Sequence, residues 1–196
     1  MRVSLVTEPA EEPLTLDEVR THLRLDDHTD DAYALALAAA VREAFEADTG
    51  RQLVTATWRA TLDCFPSSRH EPIRLPKPPL ASVTSIKYVD ETGDTQTWSS
   101  DEYTVETFAG PLARRGMIYP AVDCDWPVAL AVPGAVTVTF VAGVVPSLIP
   151  EGHRAVLLMW LADLYVNRER QVTGTIVSQN ATASAMLDLY REPALL

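Results

Sequence analysis

Between Ile149 and Arg170 the apolar residues recur at steps of three and four. Val156, Leu157, Trp160, Leu161, Leu164 and Tyr165 fall on one side of a 3.6-residue period, which predicts a helix with a broad apolar stripe. Ser147 is positioned to cap its start, Pro150 and Glu151 suit a first turn, and Arg168 and Arg170 suit the negative C-terminal end. A helix of about 22 residues would span roughly 33 Å. Such a stripe needs an apolar partner, and the chain supplies one near its beginning.

Residues 1–13 read as an extended lead-in carrying Pro and Glu. Thr15 and Glu18 then have capping-box spacing, ahead of a short helix with Leu16, Val19 and Leu23 on one edge. A turn at 26–31, DDHTDD, opens a longer helix from about Thr29 to Thr49, and Gly50 follows as its stop. Tyr33, Leu37, Ala40, Val41, Ala44 and Phe45 form the predicted stripe of that helix. Its abundant alanines favour helix and let another helix approach closely. The two stripes are predicted to meet, giving a helix–helix core of Tyr33, Leu37, Val41, Phe45, Leu157, Trp160, Leu161 and Leu164.

From Leu53 to about Gly143 the period changes to two. Val54, Ala56, Trp58, Ala60 and Leu62 alternate with polar residues, as on a strand with one apolar face. IRLPKPPL at 73–80 is too proline-rich for a central strand and predicts an edge or crossover. SVTSIKYVD, ETGD and TQTW read as a hairpin; Tyr103–Glu106, Met117–Tyr119 and Ala135–Val141 are further strands, the last with Val136, Val138 and Phe140 on one face. QVTGTIVSQN, with Gly174 as a hinge, leads to a last short helix from about Ala181 to Arg191, stopped by Pro193. The fold class is therefore α+β: a bundle of N- and C-terminal helices with an inserted antiparallel β module, a small sandwich or half-barrel. The predicted division is 1–52 for the first helices, 53–144 for the β module, 145–172 for the long helix, and 173–196 for the flexible segment and last helix.

Composition narrows the function classes. The net charge is −11, of which residues 1–50 carry −8 (12 acids against 4 bases). Gripping nucleic-acid phosphates takes clustered Lys and Arg, so this balance argues against it. No apolar run approaches a membrane span and the N-terminus lacks a signal-peptide core, so a soluble protein without a membrane partner is expected. Cys64 and Cys124 read as two buried or half-buried thiols rather than a bridge.

Candidate chemistry is sparse. The four histidines share no metal-binding spacing, and no phosphate loop, dinucleotide fingerprint or nucleophile elbow occurs. Asp26, Asp27, His28, Asp30 and Asp31 are dense enough in oxygen to hold a hard cation, but helix capping explains them. Asp123 and Asp125 around Cys124 could suggest acid–base work, and a turn between strands accounts for them as well. NRER at 167–170 either complements the helix dipole or bridges to a neighbouring subunit. The stripe Met186, Leu187 and Tyr190 either docks on its own domain or is kept for a partner.

Taken in order, PLTLDEVRTHLRLD, DDAYALALAAAVREAFEADTGRQLVTATW, LDCFP, IRLPKPPLASVTSIKYVDETG, VTVTFVAG and IPEGHRAVLLMWLADLYVNRE resemble the head–tail connector, or adaptor, proteins of long-tailed double-stranded DNA phages and phage-like gene transfer agents. Nearly the whole chain is covered; no single piece is specific, but the order and spacing are. The resemblance implies a structural protein without catalytic residues, cofactor or metal. It implies assembly with copies of itself into a ring, dodecameric, beneath the portal protein. Such a ring extends the DNA channel and offers a surface to a tail-side connector or tail-terminator protein, at the head–tail interface of a particle assembled from subunits made in the bacterial cytoplasm. DNA would pass through without specific binding, an acidic lining letting it slide. The C-terminal segment of such adaptors reaches toward the portal, which assigns portal docking to Met186, Leu187, Tyr190 and Arg191. Two other classes remain to be weighed: a small metal-dependent hydrolase using the acids at 26–31, and a monomeric ligand-binding module.

Overall fold

The computed structural model describes residues 1–167 and 181–191. Their contacts divide the chain into two compact units. One takes residues 1–10 and 55–144; the other takes 11–54 and the chain from 145 onward.

The first unit is a two-sheet β structure. Its strands are β1 (Arg2–Thr7), β2 (Ala56–Leu62), β3 (Ile73–Leu75), β4 (Leu80–Val89), β5 (Thr95–Trp98), β6 (Tyr103–Glu106), β7 (Gly116–Pro120) and β8 (Val136–Ala142). A five-stranded antiparallel sheet runs β1-β2-β8-β4-β5, and a three-stranded one runs β3-β7-β6. The alternation predicted for β2 and β8 becomes one buried face. Trp58 pairs with Phe140, Ala60 with Val138 and Leu62 with Val136. These side chains share a core with Ile73, Leu75 and Ile118 of the smaller sheet. The proline-rich stretch does provide an edge: β3 pairs only with β7. At the β4–β5 hairpin, Asp90 accepts hydrogen bonds from the Thr92 hydroxyl and Gln96 amide, which hold its carboxyl down to about 2.

One element departs from expectation. Residues 1–13 are not merely a lead-in, because Arg2–Thr7 pairs with β2 as an edge strand. RVSLVT is too short and too irregular in its alternation to stand out, and its side chains are exposed on both faces. Its register comes from a partner strand 50 to 59 residues away in the chain, which a local period does not reveal.

The second unit is helical: α1 (Leu16–Leu23), α2 (Asp31–Thr49), α3 (Glu151–Val166) and α4 (Ala181–Tyr190). Thr15 caps α1 through the expected box, its hydroxyl accepting from the Glu18 N–H while the Glu18 carboxylate accepts from the Thr15 N–H at 2.7 Å. Gly50 ends α2 at φ 72°, a left-handed conformation that a residue without Cβ adopts freely. The start of α3 differs from expectation. Pro150 is its N-cap, without a side-chain cap bond, and Ser147 sits in a preceding 3₁₀ turn at Pro146–Leu148. Arg168, Arg170, Gly174 and Pro193 lie outside the described residues, as does all of NRER after Asn167.

Candidate functional site

The helical unit has a stripe-to-stripe core, rotated from the one read in sequence. On α2 the buried apolar residues are Ala34, Ala38, Val41 and Phe45, while Ala40 and Ala44 are exposed and Leu37 is half-buried. On α3, Val156, Leu157 and Leu161 are fully buried and Trp160 is half-buried. Tyr33 (37% exposed) and Leu164 (43%) sit at the rim, outside the core assigned to them. Tyr33 lies 6.1 Å from the ring of Tyr165, whose hydroxyl donates to Asp30. The rotation has a polar cause: Arg42 and Glu46, too charged for a predicted stripe, are drawn inside by each other. Arg42 donates to Glu46 at 3.1 Å and to Glu12 at 2.8 Å. The second Glu46 oxygen accepts from the Gln52 amide and the Leu53 N–H. Once paired and hydrogen-bonded, both charges can leave water, and α2 turns to place them inward.

Phe45 is the hub of this core. Its ring lies 5.2 Å from His153, 6.5 Å from Trp160 and 6.4 Å from Tyr190. Those contacts bring α2, α3 and α4 together. Arg154 fastens α1 to α3 by donating to Glu18 at 2.8 Å, to the Pro13 carbonyl at 2.9 Å and to the Pro146 carbonyl at 2.5 Å.

The α4 stripe is docked on its own unit. Leu187 is 4% exposed, and Tyr190 packs edge-on against His153 at 4.2 Å. The Tyr190 hydroxyl occupies the space a Cβ at Gly152 would take. Arg51 donates to the Tyr190 carbonyl at 2.5 Å, capping the end of α4, and Arg191 forms a two-oxygen contact with Asp48 at 2.9 Å. Met186 is half-buried, and the large apolar side chain that α4 leaves outward is Leu189, 68% exposed. Of the two uses open to this stripe, the structure shows the first. Sequence reasoning missed Gly152, Arg51 and Asp48 as its receptor; a glycine in the first turn of α3 was the only local signal.

Three of the four acids at 26–31, Asp27, Asp30 and Asp31, are employed in the fold. Asp27 accepts from the Thr29 N–H at 2.9 Å, and that bond holds its carboxyl below the usual value. Asp31 accepts from His28 at 2.7 Å and stands 3.5 Å from Arg20. Asp30, at the N-cap of α2, makes no side-chain cap bond and takes the Tyr165 hydroxyl instead. Among the described residues no three His, Cys, Asp or Glu side chains are grouped to hold a metal ion.

The β unit carries a small cleft of about 280 Å³, walled by Phe65, Arg69, Asp125 and Trp126. Phe65 and Trp126 stack at 5.5 Å, and Trp126 donates to the Ser68 carbonyl. Asp123 holds a turn at φ 64°. Both cysteines are free; Cys124 is half-buried, but Cys64, expected to be covered, is exposed just past the end of β2, where the chain turns out of the sheet.

No protein-family model matches the chain, and no curated protein does. Solved structures do. A chain of the neck of an empty gene transfer agent particle, computed with C6 symmetry, superposes with a TM-score of 0.78 at 22% identity, over 100% of this chain and 98% of that one. A chain of the virion of a native gene transfer agent particle gives 0.75 at 22%. The native neck computed with C12 symmetry gives 0.68 at 21%, each over the same shares of both chains. No helix among the described residues is long and apolar enough to cross a membrane. End to end, the chain has the fold of these gene transfer agent particle chains.

Proposed function

We propose that the chain is a structural head–tail connector: a subunit that joins copies of itself in a closed ring under the portal, continues the DNA channel and presents a surface to the tail. The observation carrying this reading is the superposition of the entire chain on neck subunits, with neither sheet nor helix left over. The sixfold and twelvefold symmetry of those necks supports a ring, and twelve copies is the number proposed. Closed rings use two different surfaces on each subunit, and a well-cored subunit of two units can supply them. In this reading no reaction centre is needed.

Portal docking by Met186, Leu187, Tyr190 and Arg191 belongs to the same proposal with one condition. Leu187 and Tyr190 must leave the α2–α3 surface before they can reach another protein. Mixing the chain with the portal of its own particle and imaging the product tests the proposal: a ring coaxial with the portal is expected, and a portal left bare overturns it. Portal binding by a chain lacking residues 178–196 at full strength would remove the docking role of α4 and leave the ring reading intact.

A further inference from the structure

The outward face of the five-stranded sheet has an unusual composition for a chain of net charge −11. Cross-strand register places Arg2, Thr61, Thr137, Lys87 and Thr97 in one row across all five strands. Arg59 stands in the next row, between Ser4 and Thr139. No strand position on this face is a carboxylate. Arg2 faces Asp63, just beyond β2, at 3.7 Å. Arg59 and Lys87 are exposed, and neither forms an ion pair among the described residues. Arg2 and Lys87, three strands apart, are separated by roughly 14 Å.

The other unit has the opposite character. The β unit carries eleven acids and eight bases, a net of −3; the helical unit carries sixteen acids and eight bases, a net of −8. Within the helical unit the turn between α1 and α2 projects Asp26 and Asp27, both exposed. Neither carboxylate forms an ion pair among the described residues, although Arg20 donates to the Asp27 carbonyl at 3.3 Å, whereas Asp31 next to them stands 3.5 Å from Arg20. A subunit with a cationic sheet face on one unit and an exposed acidic corner on the other holds two different, complementary surfaces, the requirement for head-to-tail contact between copies.

We infer that the Arg59–Lys87 sheet face of one copy receives the Asp26–Asp27 corner of a second copy. This rests on the ring reading above and adds the contact that would close it. Nucleic acid is the poorer occupant, because both units are net negative and the whole chain repels a polyanion before contact. The face is hydroxyl-rich and nearly without large apolar groups, so the contact is weak, salt-sensitive and suited to subunits that join only when held side by side.

Four full-length chains test it: wild type, Arg59→Glu/Lys87→Glu, Asp26→Lys/Asp27→Asn, and all four changes together. Asn at 27 keeps an oxygen for the Thr29 N–H, and equal melting temperatures confirm that each chain folds. Self-association is read by sedimentation at low salt, and ring yield by imaging on the portal. Each single-face chain is expected to associate about tenfold more weakly than wild type, and the combined chain to recover in part, since the sheet face is then negative and the corner net positive. Single-face chains that associate like wild type, or a combined chain as weak as they are, would overturn the contact. Binding of a short DNA duplex that Arg59→Glu/Lys87→Glu abolishes would overturn it in favour of nucleic acid. A wild-type chain that self-associates with this charge pattern yet closes no ring on the portal would sink the ring reading and leave the contact standing.

Discussion

Arg154 and Glu18 are 136 residues apart in the chain and 2.8 Å apart in the fold. That contact ties the beginning of the polypeptide to its last third. Glu18 also closes the Thr15 capping box, so one carboxylate both starts α1 and anchors it to α3. Burial raises its pKa, but the hydrogen bonds from Thr15 and the Arg154 charge outweigh that, and the net direction is below the ordinary 4.5.

A depressed carboxylate pKa contributes stability that is present above the unfolded value and is lost as pH falls through the folded one. The difference in stability between wild type and Glu18→Gln should therefore shrink as pH drops below about 4.5 in denaturant unfolding. Arg154→Met, which removes the donor to Glu18 and to two carbonyls, should cost about 1–3 kcal/mol near neutral pH. A Glu18→Gln difference that is constant from neutral pH to acid would show that the pair contributes nothing.

Phe45 and Trp160 are both aromatic residues at the α2–α3 contact, yet they should differ in weight. Phe45 is fully buried and meets three rings, so Phe45→Ala should cost about 3–5 kcal/mol. Trp160 is half-buried and meets Phe45 edge-on, and Trp160→Ala should cost about 2 kcal/mol. Thermal or denaturant unfolding gives both values, and the reverse order would contradict this packing.

The buried charge network predicts an asymmetry. Glu46→Ala strips an acceptor from Arg42, Gln52 and the Leu53 N–H together. It should cost about 3 kcal/mol, because Arg42 keeps Glu12 as a partner. Glu43→Ala, on the exposed side of the same arginine, should cost under about 1 kcal/mol. Equal losses in an unfolding titration would remove the network as the reason α2 is rotated.

Gly152 makes room for Tyr190. Gly152→Ala improves helix propensity by up to about 1 kcal/mol while pushing the tyrosine off its seat. The expected result is an unchanged or higher global melting temperature together with faster amide exchange across α4. Tyr190→Phe, which removes the hydroxyl, should restore slow exchange in the Gly152→Ala background. Unaltered α4 protection in Gly152→Ala would show that the seat is not needed.

Legibility in the sequence followed the range of the interaction that decided each element. The Thr15 box, the Gly50 stop and the period-two run through Val136, Val138 and Phe140 depend on near neighbours, and all appear where the residues predicted them. The rotation of α2 depends on Glu46 meeting Gln52 and Leu53 beyond the helix end, and a stripe drawn from apolar residues alone passes over it. Strand β1 depends on a distant partner and was invisible for that reason. The α4 receptor is legible only afterwards, because Asp48 and Arg51 at the end of α2 and Gly152 at the start of α3 come from distant parts of the chain. The connector reading calls for no convergence of reacting atoms, and surfaces for assembly leave few motifs behind.

The most direct test is to label the chain inside the particle that carries it. With an affinity tag on the subunit and an antibody fragment bound to it, averaged electron-microscope images should show density ringing the junction between head and tail. Label on the capsid shell or along the tail, or intact particles containing none of the chain, would contradict the connector role.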